Sequence, residues 1–277
     1  MPEAGRLIVC ATPIGNLGDV TLRVLDALRA ADLVCAEDTR VSRKLLARYE
    51  IPARLERFDE HVADARTPKV IARIEAGETV ALVSDAGTPG ISDPGEHLVA
   101  AVLDAGLKVE VLPGPSAILT ALVASGMPAR SFFFGGFLPR KSGEVRRRLE
   151  QLKHLDATLV FYESPARTAA ALAFIAEVLP GREAAMAREL TKLHEEVVRG
   201  TVEELAAEVA GRTSLKGEVV LLVGPPARSA TVFDDDDLRS RVRALVAQGV
   251  PRSEAVKRVA VETGAPRNRA YRASLGG

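Results

Sequence analysis

A regular alternation of short apolar runs with amphipathic segments constrains the fold of this 277-residue chain more than any other feature. The apolar runs predict buried strands, and leucine and valine at helical spacing between them predict helices. Strands that alternate with helices are typical of an α/β domain with a mainly parallel sheet. In the first half we predict strands at 6–12, 32–37, 79–84 and 108–112, and helices at 21–31, 42–49, 69–75, 95–105 and up to about 124.

The pattern breaks at 126–136, which we interpret as the crossing into a second α/β domain. The last strands predicted there are close in sequence, so antiparallel pairs are expected. A basic tail follows, with predicted helices at 238–248, 253–262 and 266–273 and Ser253 as a helix cap. The predicted domains are therefore 1–125, 126–228 and 234–277. The strands of the second half are predicted at 157–162, 183–188, 195–200 and 218–223, with helices around 146–148 and at 168–178 and 202–208.

Composition excludes several classes of protein. The hydrophobic fraction of 47% supports a sizeable core, whereas an aromatic fraction of 4% without tryptophan argues against a surface of base-stacking rings. Neither a long apolar run nor a secretory signal is present, so we expect no membrane span and a cytoplasmic location. Cys10, Cys35 and the four histidines lack metal-ligand spacing, so no metal site is expected.

Glycine- and proline-rich loops follow the predicted strands of the first half. In open α/β sheets this carboxyl edge is where ligands bind. The loop at 84–95 is longer than a simple connection needs, and its three glycines allow a ligand to approach the backbone. A long capped turn is the alternative interpretation. Gly15 and Gly18 match a dinucleotide fingerprint poorly, and Ser116 could simply cap the next helix.

Two pairs of charged residues lie at the ends of predicted strands in the second half. Glu163 and Arg167 are four residues apart, which suits either a salt bridge at a helix start or a functional carboxylate. Lys216 and Glu218 come directly before a predicted buried strand. Both pairs are candidate site residues.

Six co-linear strings resemble the tetrapyrrole methylase superfamily, and most closely its branch of ribosomal RNA small-subunit methyltransferases of type I. The resemblance covers about residues 7–225. The strings are 11–19 (ATPIGNLGD), 36–40 (AEDTR), 83–95 (VSDAGTPGISDPG), 112–117 (LPGPSA), 134–139 (FGGFLP) and 162–167 (YESPAR).

The resemblance implies two α/β domains that bind S-adenosylmethionine between them, and usually a homodimer. It implies methylation of the 2′-hydroxyl of a cytidine in the decoding region of 16S ribosomal RNA, within the 30S subunit. The cofactor contacts that it implies here are Pro13, Gly15, Asp85, Ala86, Gly87, Thr88, Ser116, Ala117, Tyr162, Arg188, Leu190, Gly217 and Glu218.

The reaction requires in-line attack on the methyl group, and holding both reactants in that geometry supplies much of the rate. A sulfonium favours nearby oxygens, which the loop ends at Asp85 and Pro113 can offer. Because a ribose hydroxyl is a weak nucleophile, a general base is expected. We predict Glu163 and Lys216 as catalytic residues, with Asp38 as a further candidate.

Clustered positive charge predicts RNA contact. Residues 138–153 hold six basic and two acidic side chains, and residues 239–272 hold nine and two. Such clusters neutralise phosphates, although a solvated helix face is the alternative. The predicted RNA-binding residues are Arg40, Arg140, Lys141, Arg146, Arg147 and Arg148.

Two other functions stay open at this point. The same scaffold could methylate a small tetrapyrrole or another acceptor, because function is set by the site rather than the fold. The tail could instead read duplex DNA through Arg267, Asn268 and Arg269 in a non-enzymatic regulator.

Overall fold

Two five-stranded sheets form the framework of the first of two compact units, Met1–Pro226 and Ala227–Gly277. The structure is a computed structural model and describes residues 5–226 and 233–275. The two sheets and the helical C-terminal part confirm the predicted fold class. The division into 1–125, 126–228 and 234–277 stays a prediction.

The first sheet is entirely parallel, with the strand order β3-β2-β4-β1-β5. Its strands are β1 (Arg6–Cys10), β2 (Leu33–Ala36), β3 (Leu55–Arg57), β4 (Thr79–Val83) and β5 (Lys108–Leu112). The helices of this half are α1 (Leu22–Ala30), α2 (Thr39–Arg48), α3 (Ala63–Glu75), α4 (Gly95–Asp104) and α5 (Ala117–Ser125).

Helices cover both faces of the first sheet. Val24 and Leu28 of α1 pack with Ile8 on one face, and Ile74 of α3 packs with Leu7 on the other. The chain leaves the adjacent strands β1 and β4 toward opposite edges of the sheet. A crevice therefore opens between their carboxyl ends, which is the topological switch point of a doubly wound sheet.

The second sheet is mixed and has the order β6-β7-β10-β8-β9. Its strands are β6 (Phe132–Phe137), β7 (Thr158–Glu163), β8 (Glu183–Arg188), β9 (Glu196–Thr201) and β10 (Val219–Val223). β6 pairs with β7 in parallel, and the other pairs are antiparallel as expected. The helices of this half are α6 (Ser142–Leu152), α7 (Pro165–Val178) and α8 (Val202–Ala210).

The two faces of the second sheet have different neighbours. Leu149 of α6 and Ile175 of α7 pack against Leu159 and Leu221 on one face. On the opposite face, Val160 and Val220 belong to a cluster that includes α5 and Ile14 from the first half. This shared apolar cluster holds the two sheets together and fixes the loops between them.

The C-terminal unit contains α9 (Asp235–Ala247), α10 (Arg252–Thr263) and α11 (Arg267–Leu275) in its described part. Asp234 and Asp237 form a capping box that begins α9. Leu238, Val256 and Ala270 bring one residue from each helix into a common core. The unit thus has a small apolar core of its own.

Two local predictions were wrong, and two short strands were missed. Ser253 does not cap α10, because Pro251 holds the cap position and the helix begins at Arg252. The short strands β3 and β6 were not predicted, since neither shows a clear alternation of apolar and polar residues. Helix α3 begins before Pro68 rather than after it, with buried Ala63 and Val70 on either side.

Candidate active site

The candidate site lies at the switch point of the first sheet, where the loops after β1 and β4 meet. Thr12 and Gly87 form an isolated bridge between these loops. The Thr12 hydroxyl also donates to the Ser84 carbonyl oxygen at 3.0 Å. These contacts fix the backbone at the mouth of the crevice.

A cleft of about 420 Å³ opens at this point, between the first sheet and the second. The six strings quoted above each contribute at least one lining residue. The lining is Ile14, Glu37, Ser84, Asp85, Ala86, Gly87, Thr88, Ile91, Ser92, Asp93, Ser116, Ala117, Phe137, Tyr162, Glu163, Ser164, Pro165, Ala187, Leu190, Gly217, Glu218, Val219 and Val220. Segments far apart in sequence therefore meet around one cavity.

Carboxylates dominate the charge of the cleft. Burial and the neighbouring Asp85 raise the pKa of Glu37, and burial raises the pKa of Asp85 itself. Burial also raises the pKa of Tyr162, whose ring lies edge-on to Phe134 at a centroid distance of 4.9 Å. A bound cation would relieve the repulsion among these acidic groups.

Most of the predicted cofactor contacts lie in this cleft. Pro13, Gly15 and Arg188 are not among its lining residues. Pro13 is buried next to Ile14, and Gly15 lies against the turn that contains Thr191. The contacts that do line the cleft are Asp85, Ala86, Gly87, Thr88, Ser116, Ala117, Tyr162, Leu190, Gly217 and Glu218.

Arg188 lies outside the cleft lining, in an ion-pair cluster. Its Nε donates to Glu196 at 2.9 Å, and its Nη1 donates to the Lys216 carbonyl oxygen at 3.3 Å. Arg212 holds the same Glu196 carboxylate with two bonds of 2.8 Å. These contacts give Arg188 a structural partner on β9.

Of the predicted catalytic residues, only Glu163 lines the cleft. Its side chain is fully buried, and its Oε1 accepts a hydrogen bond from the Ser164 N–H at 2.8 Å. Arg167 lies 3.3 Å from Oε2 and donates to the carbonyl oxygens of Leu138 and Pro139. The expected salt bridge therefore exists, and burial raises the pKa of Glu163.

Lys216 and Asp38 lie away from the cleft lining. Lys216 is exposed. The Asp38 carboxylate accepts a hydrogen bond from the Arg40 N–H and holds the Arg40 guanidinium at 2.6 Å, which lowers the pKa of Asp38 to about 2. Asp38 thus serves as the cap of α2.

A second, larger cavity of about 1180 Å³ adjoins the cleft on the side of β2 and β3. The two cavities share Glu37, Asp85, Ser92 and Asp93. The other lining residues of the second cavity are Asp38, Thr39, Arg40, Arg57, Asp59, Glu60, His61, Ala63, Asp64, Pro94 and His97.

Two residues that line the cleft, Glu37 and Phe137, were not predicted from the sequence, although both lie within the quoted strings.

The predicted RNA-binding residues differ in whether their charged groups are held by an acidic or aromatic side chain. Arg146 donates to Glu177 at 2.7 Å and lies over the Phe174 ring, and Arg148 lies over the Phe133 ring. Lys141 is within 3.5 Å of Glu144. Arg140 and Arg147 are exposed and have no ion pair within the described part of the chain. Arg40 is 84% exposed on the wall of the second cavity.

The described residues give no group of three or more histidine, cysteine or acidic side chains that could hold a metal ion. Burial raises the pKa of both Cys10 and Cys35 to about 12, so neither thiol ionises readily. Across 5–226 and 233–275, every helix is too short or too polar to span a bilayer.

Comparison with known proteins places these features in a family. The profile described as Tetrapyrrole (Corrin/Porphyrin) Methylases matches residues 6–206. A protein of Mesorhizobium japonicum named ribosomal RNA small subunit methyltransferase I is 48% identical, over 99% of this chain and 92% of its own. Proteins of the same name are 41% identical in Synechocystis (98% of each chain) and 40% identical in Bacillus subtilis (97% and 94%).

Solved structures share the fold of the first unit. Uroporphyrin-III-C-methyltransferase from Thermus thermophilus is 25% identical with a TM-score of 0.56, over 79% of this chain and 92% of that one. Its complex with S-adenyl homocysteine superposes with a TM-score of 0.58 at 20% identity, over 81% and 99%. The curated relatives named above cover 97–99% of this chain, so their similarity extends through the C-terminal unit. This chain belongs to the ribosomal RNA small subunit methyltransferase I family within the tetrapyrrole methylases.

Proposed function

We propose that this protein transfers the methyl group of S-adenosylmethionine to the 2′-hydroxyl of a cytidine in the decoding region of 16S ribosomal RNA. The observation that carries this proposal is that six separate family strings converge on one cleft at the switch point. Relatives at 40–48% identity bear the name of a small-subunit ribosomal RNA methyltransferase. The uroporphyrin enzymes are more distant, so a tetrapyrrole acceptor is not favoured.

The cleft suits S-adenosylmethionine in its charge and in its apolar walls. When bound, this cofactor supplies an electrophilic methyl group on a positively charged sulfonium. The carboxylates of Glu37, Asp85 and Glu218 complement that charge, while Ile14 and Leu190 supply apolar walls. The Glu163 carboxylate at the wall of the cleft is paired with Arg167, which lies 3.3 Å from its Oε2.

We propose that the loops after β4 and β5 grip the cofactor through backbone groups of Asp85–Thr88 and through Ser116 and Ala117. Tyr162, Leu190, Gly217 and Glu218 complete the grip from the second sheet. Glu163 is proposed as a cleft carboxylate that Arg167 holds in place. Pro13 and Gly15 shape the loop that carries Ile14. Asp38 and Arg188 hold neighbouring backbone, at Arg40 and at Lys216, rather than contact the cofactor. Lys216, exposed next to Gly217 of the cleft lining, stays a candidate catalytic residue.

Exposed arginine and lysine supply the contact with RNA phosphates in this proposal. Arg140 and Arg147 extend from the segment around α6 without acidic partners among the described residues. In the C-terminal unit, Arg241 and Arg258 are paired with Glu262 and Glu254, whereas Arg243 and Lys257 are exposed. A lysine or arginine that neutralises a phosphate releases counterions from the RNA, and a side chain without an acidic partner is free to do so.

The proposal includes an assembled 30S subunit as substrate, a homodimeric enzyme and a cytoplasmic location, as the family resemblance implies. The test is methyl transfer from labelled S-adenosylmethionine to 30S subunits purified from cells that lack the protein. Label should enter 16S RNA at one ribose, whereas uroporphyrinogen should stay unlabelled. Labelled porphyrinoid with unlabelled 30S would refute the assignment. Light scattering during gel filtration tests the homodimer.

A further inference from the structure

The two cavities meet at four residues. If the proposed function holds and the acceptor ribose enters the second cavity, methyl transfer takes place at this junction. A cofactor in the cleft and an acceptor in the second cavity can react only where the cavities are continuous. Glu37, Asp85, Ser92 and Asp93 line both. Three of the four are carboxylates, so a proton acceptor for the hydroxyl is available at this junction.

Two of these carboxylates already have structural hydrogen bonds. Asp93 Oδ1 accepts from the Gly90 and Gly95 N–H groups at 2.8 and 2.7 Å, which closes the loop after β4. Asp85 Oδ1 accepts from the Asp38 N–H at 2.9 Å and so joins the loops after β4 and β2. These hydrogen bonds commit Oδ1 of each carboxylate to backbone and hold the side chain in one orientation.

Glu37 is the least constrained of the three. Within the described residues it accepts one long hydrogen bond, from the Asp85 N–H to its Oε2 at 3.4 Å. Glu37 follows directly after β2, whose buried residues fix its backbone. The side chain is half-buried, so it can face an acceptor and still return a proton to solvent.

We propose that Glu37 is the proton acceptor of the reaction. In this step the ribose oxygen forms the new C–O bond while the C–S bond of the donor breaks, with its electron pair staying on sulfur. The hydroxyl proton passes to a Glu37 carboxylate oxygen and then to solvent. The neighbouring Asp38, which the sequence suggested, is committed to Arg40 and to the cap of α2.

The electrostatic environment of Glu37 suits this role. Its pKa is raised by burial and by Asp85, with smaller contributions from Asp93 and Asp59. A raised pKa makes a carboxylate a stronger base, as long as it remains ionised at neutral pH. Other charged groups on the wall of the second cavity are Asp38, Arg40, Arg57, Glu60 and Asp64, together with His61 and His97.

The test compares Glu37→Gln with Glu163→Gln, and with Glu75→Gln as a control on the exposed end of α3. Calorimetry measures S-adenosylmethionine affinity, thermal unfolding checks the fold, and single-turnover methylation of 30S subunits measures the chemical step. We expect Glu37→Gln to slow single-turnover methylation by about 100-fold or more, a far larger effect than the weakening of cofactor affinity caused by the loss of one of the cleft carboxylates. Glu163→Gln should chiefly weaken cofactor binding, and Glu75→Gln should match the wild type.

A second variant and a spectroscopic readout guard against misfolding. Glu37→Asp keeps a carboxylate and should recover part of the lost rate. Carbon-13 NMR of the labelled glutamate carboxyls should show Glu37 titrating above the ordinary range in the free protein. Turnover by Glu37→Gln within about threefold of wild type would overturn the assignment. Failure of the wild type to methylate 30S would instead refute the proposed function.

Discussion

Thr12 and Gly87 exchange two backbone hydrogen bonds, with N···O distances of 2.8 and 3.0 Å, and so tie the loop after β1 to the loop after β4. These loops line the crevice at the switch point. Gly87 has a φ of +82°, a backbone conformation that residues other than glycine seldom adopt. The contact therefore joins two glycine-containing loops into one fixed edge of the proposed cofactor cleft.

Replacement of Thr12 by valine should loosen this edge. The Thr12 hydroxyl is buried and donates to the Ser84 carbonyl oxygen at 3.0 Å. Its loss should lower the free energy of unfolding by about 1–3 kcal/mol, because a buried acceptor loses its partner. Urea denaturation measures the change, and calorimetry should show weaker S-adenosylmethionine binding. Exposed Thr213→Val is the control, and equal stability of both variants would contradict the prediction.

Gly114 should resist substitution for a reason of space. A Cβ there would lie 2.8 Å from the Ala11 Cβ, inside any normal contact distance. We expect Gly114→Ala to destabilise the protein by about 1–3 kcal/mol, as other overpacked sites do. Gly143→Ala meets no atom within 4 Å and should be neutral or stabilise the start of α6 by up to about 1 kcal/mol. Comparable chemical denaturation curves for the two variants would show the site to be less crowded.

The Glu196 cluster should make stability depend on pH. Hydrogen bonds from Arg212 lower the pKa of Glu196 to about 2. Its contribution is therefore complete above the unfolded pKa of about 4.3 and is lost as the pH falls toward 2. Glu196→Gln should cost about 1 kcal/mol at pH 7, a figure discounted for solvent screening. The difference in the free energy of unfolding between wild type and Glu196→Gln should become smaller from pH 4.5 to pH 3.5. Urea denaturation measures it at each pH, and a difference that stays constant would argue against the ion pair.

Arg146 and Arg147 offer a matched test of RNA contact on one helix. Arg147 has no ion pair among the described residues, so Arg147→Gln should weaken 30S binding and reduce the salt slope by about one. Arg146 is held by Glu177 and by the Phe174 ring, so Arg146→Gln should affect 30S binding less and stability more. Filter binding across a salt series gives the slopes. A larger loss of 30S binding in Arg146→Gln than in Arg147→Gln would contradict the prediction that Arg147 contacts RNA.

The sequence by itself determined most of the elements and their order, although not the short strands β3 and β6. The apolar runs that contain Val9, Leu82 and Leu221 form strands whose side chains are buried on both faces of a sheet. The glycine- and proline-rich strings after β1, β4 and β5 marked the binding edge, since the carboxyl ends of parallel strands lie on one side of a sheet. Periodicity of this kind is local, so it can be read without coordinates.

Only the tertiary structure decided which polar groups share a cavity. Glu37 and Asp38 are adjacent in sequence, yet one lines both cavities and the other is bound to Arg40. Lys216, a predicted catalytic residue, lies on the turn before β10, where its side chain is exposed outside the cleft lining. The direction of a side chain at a strand end depends on contacts from distant loops, and those contacts exist only after the sheets have packed.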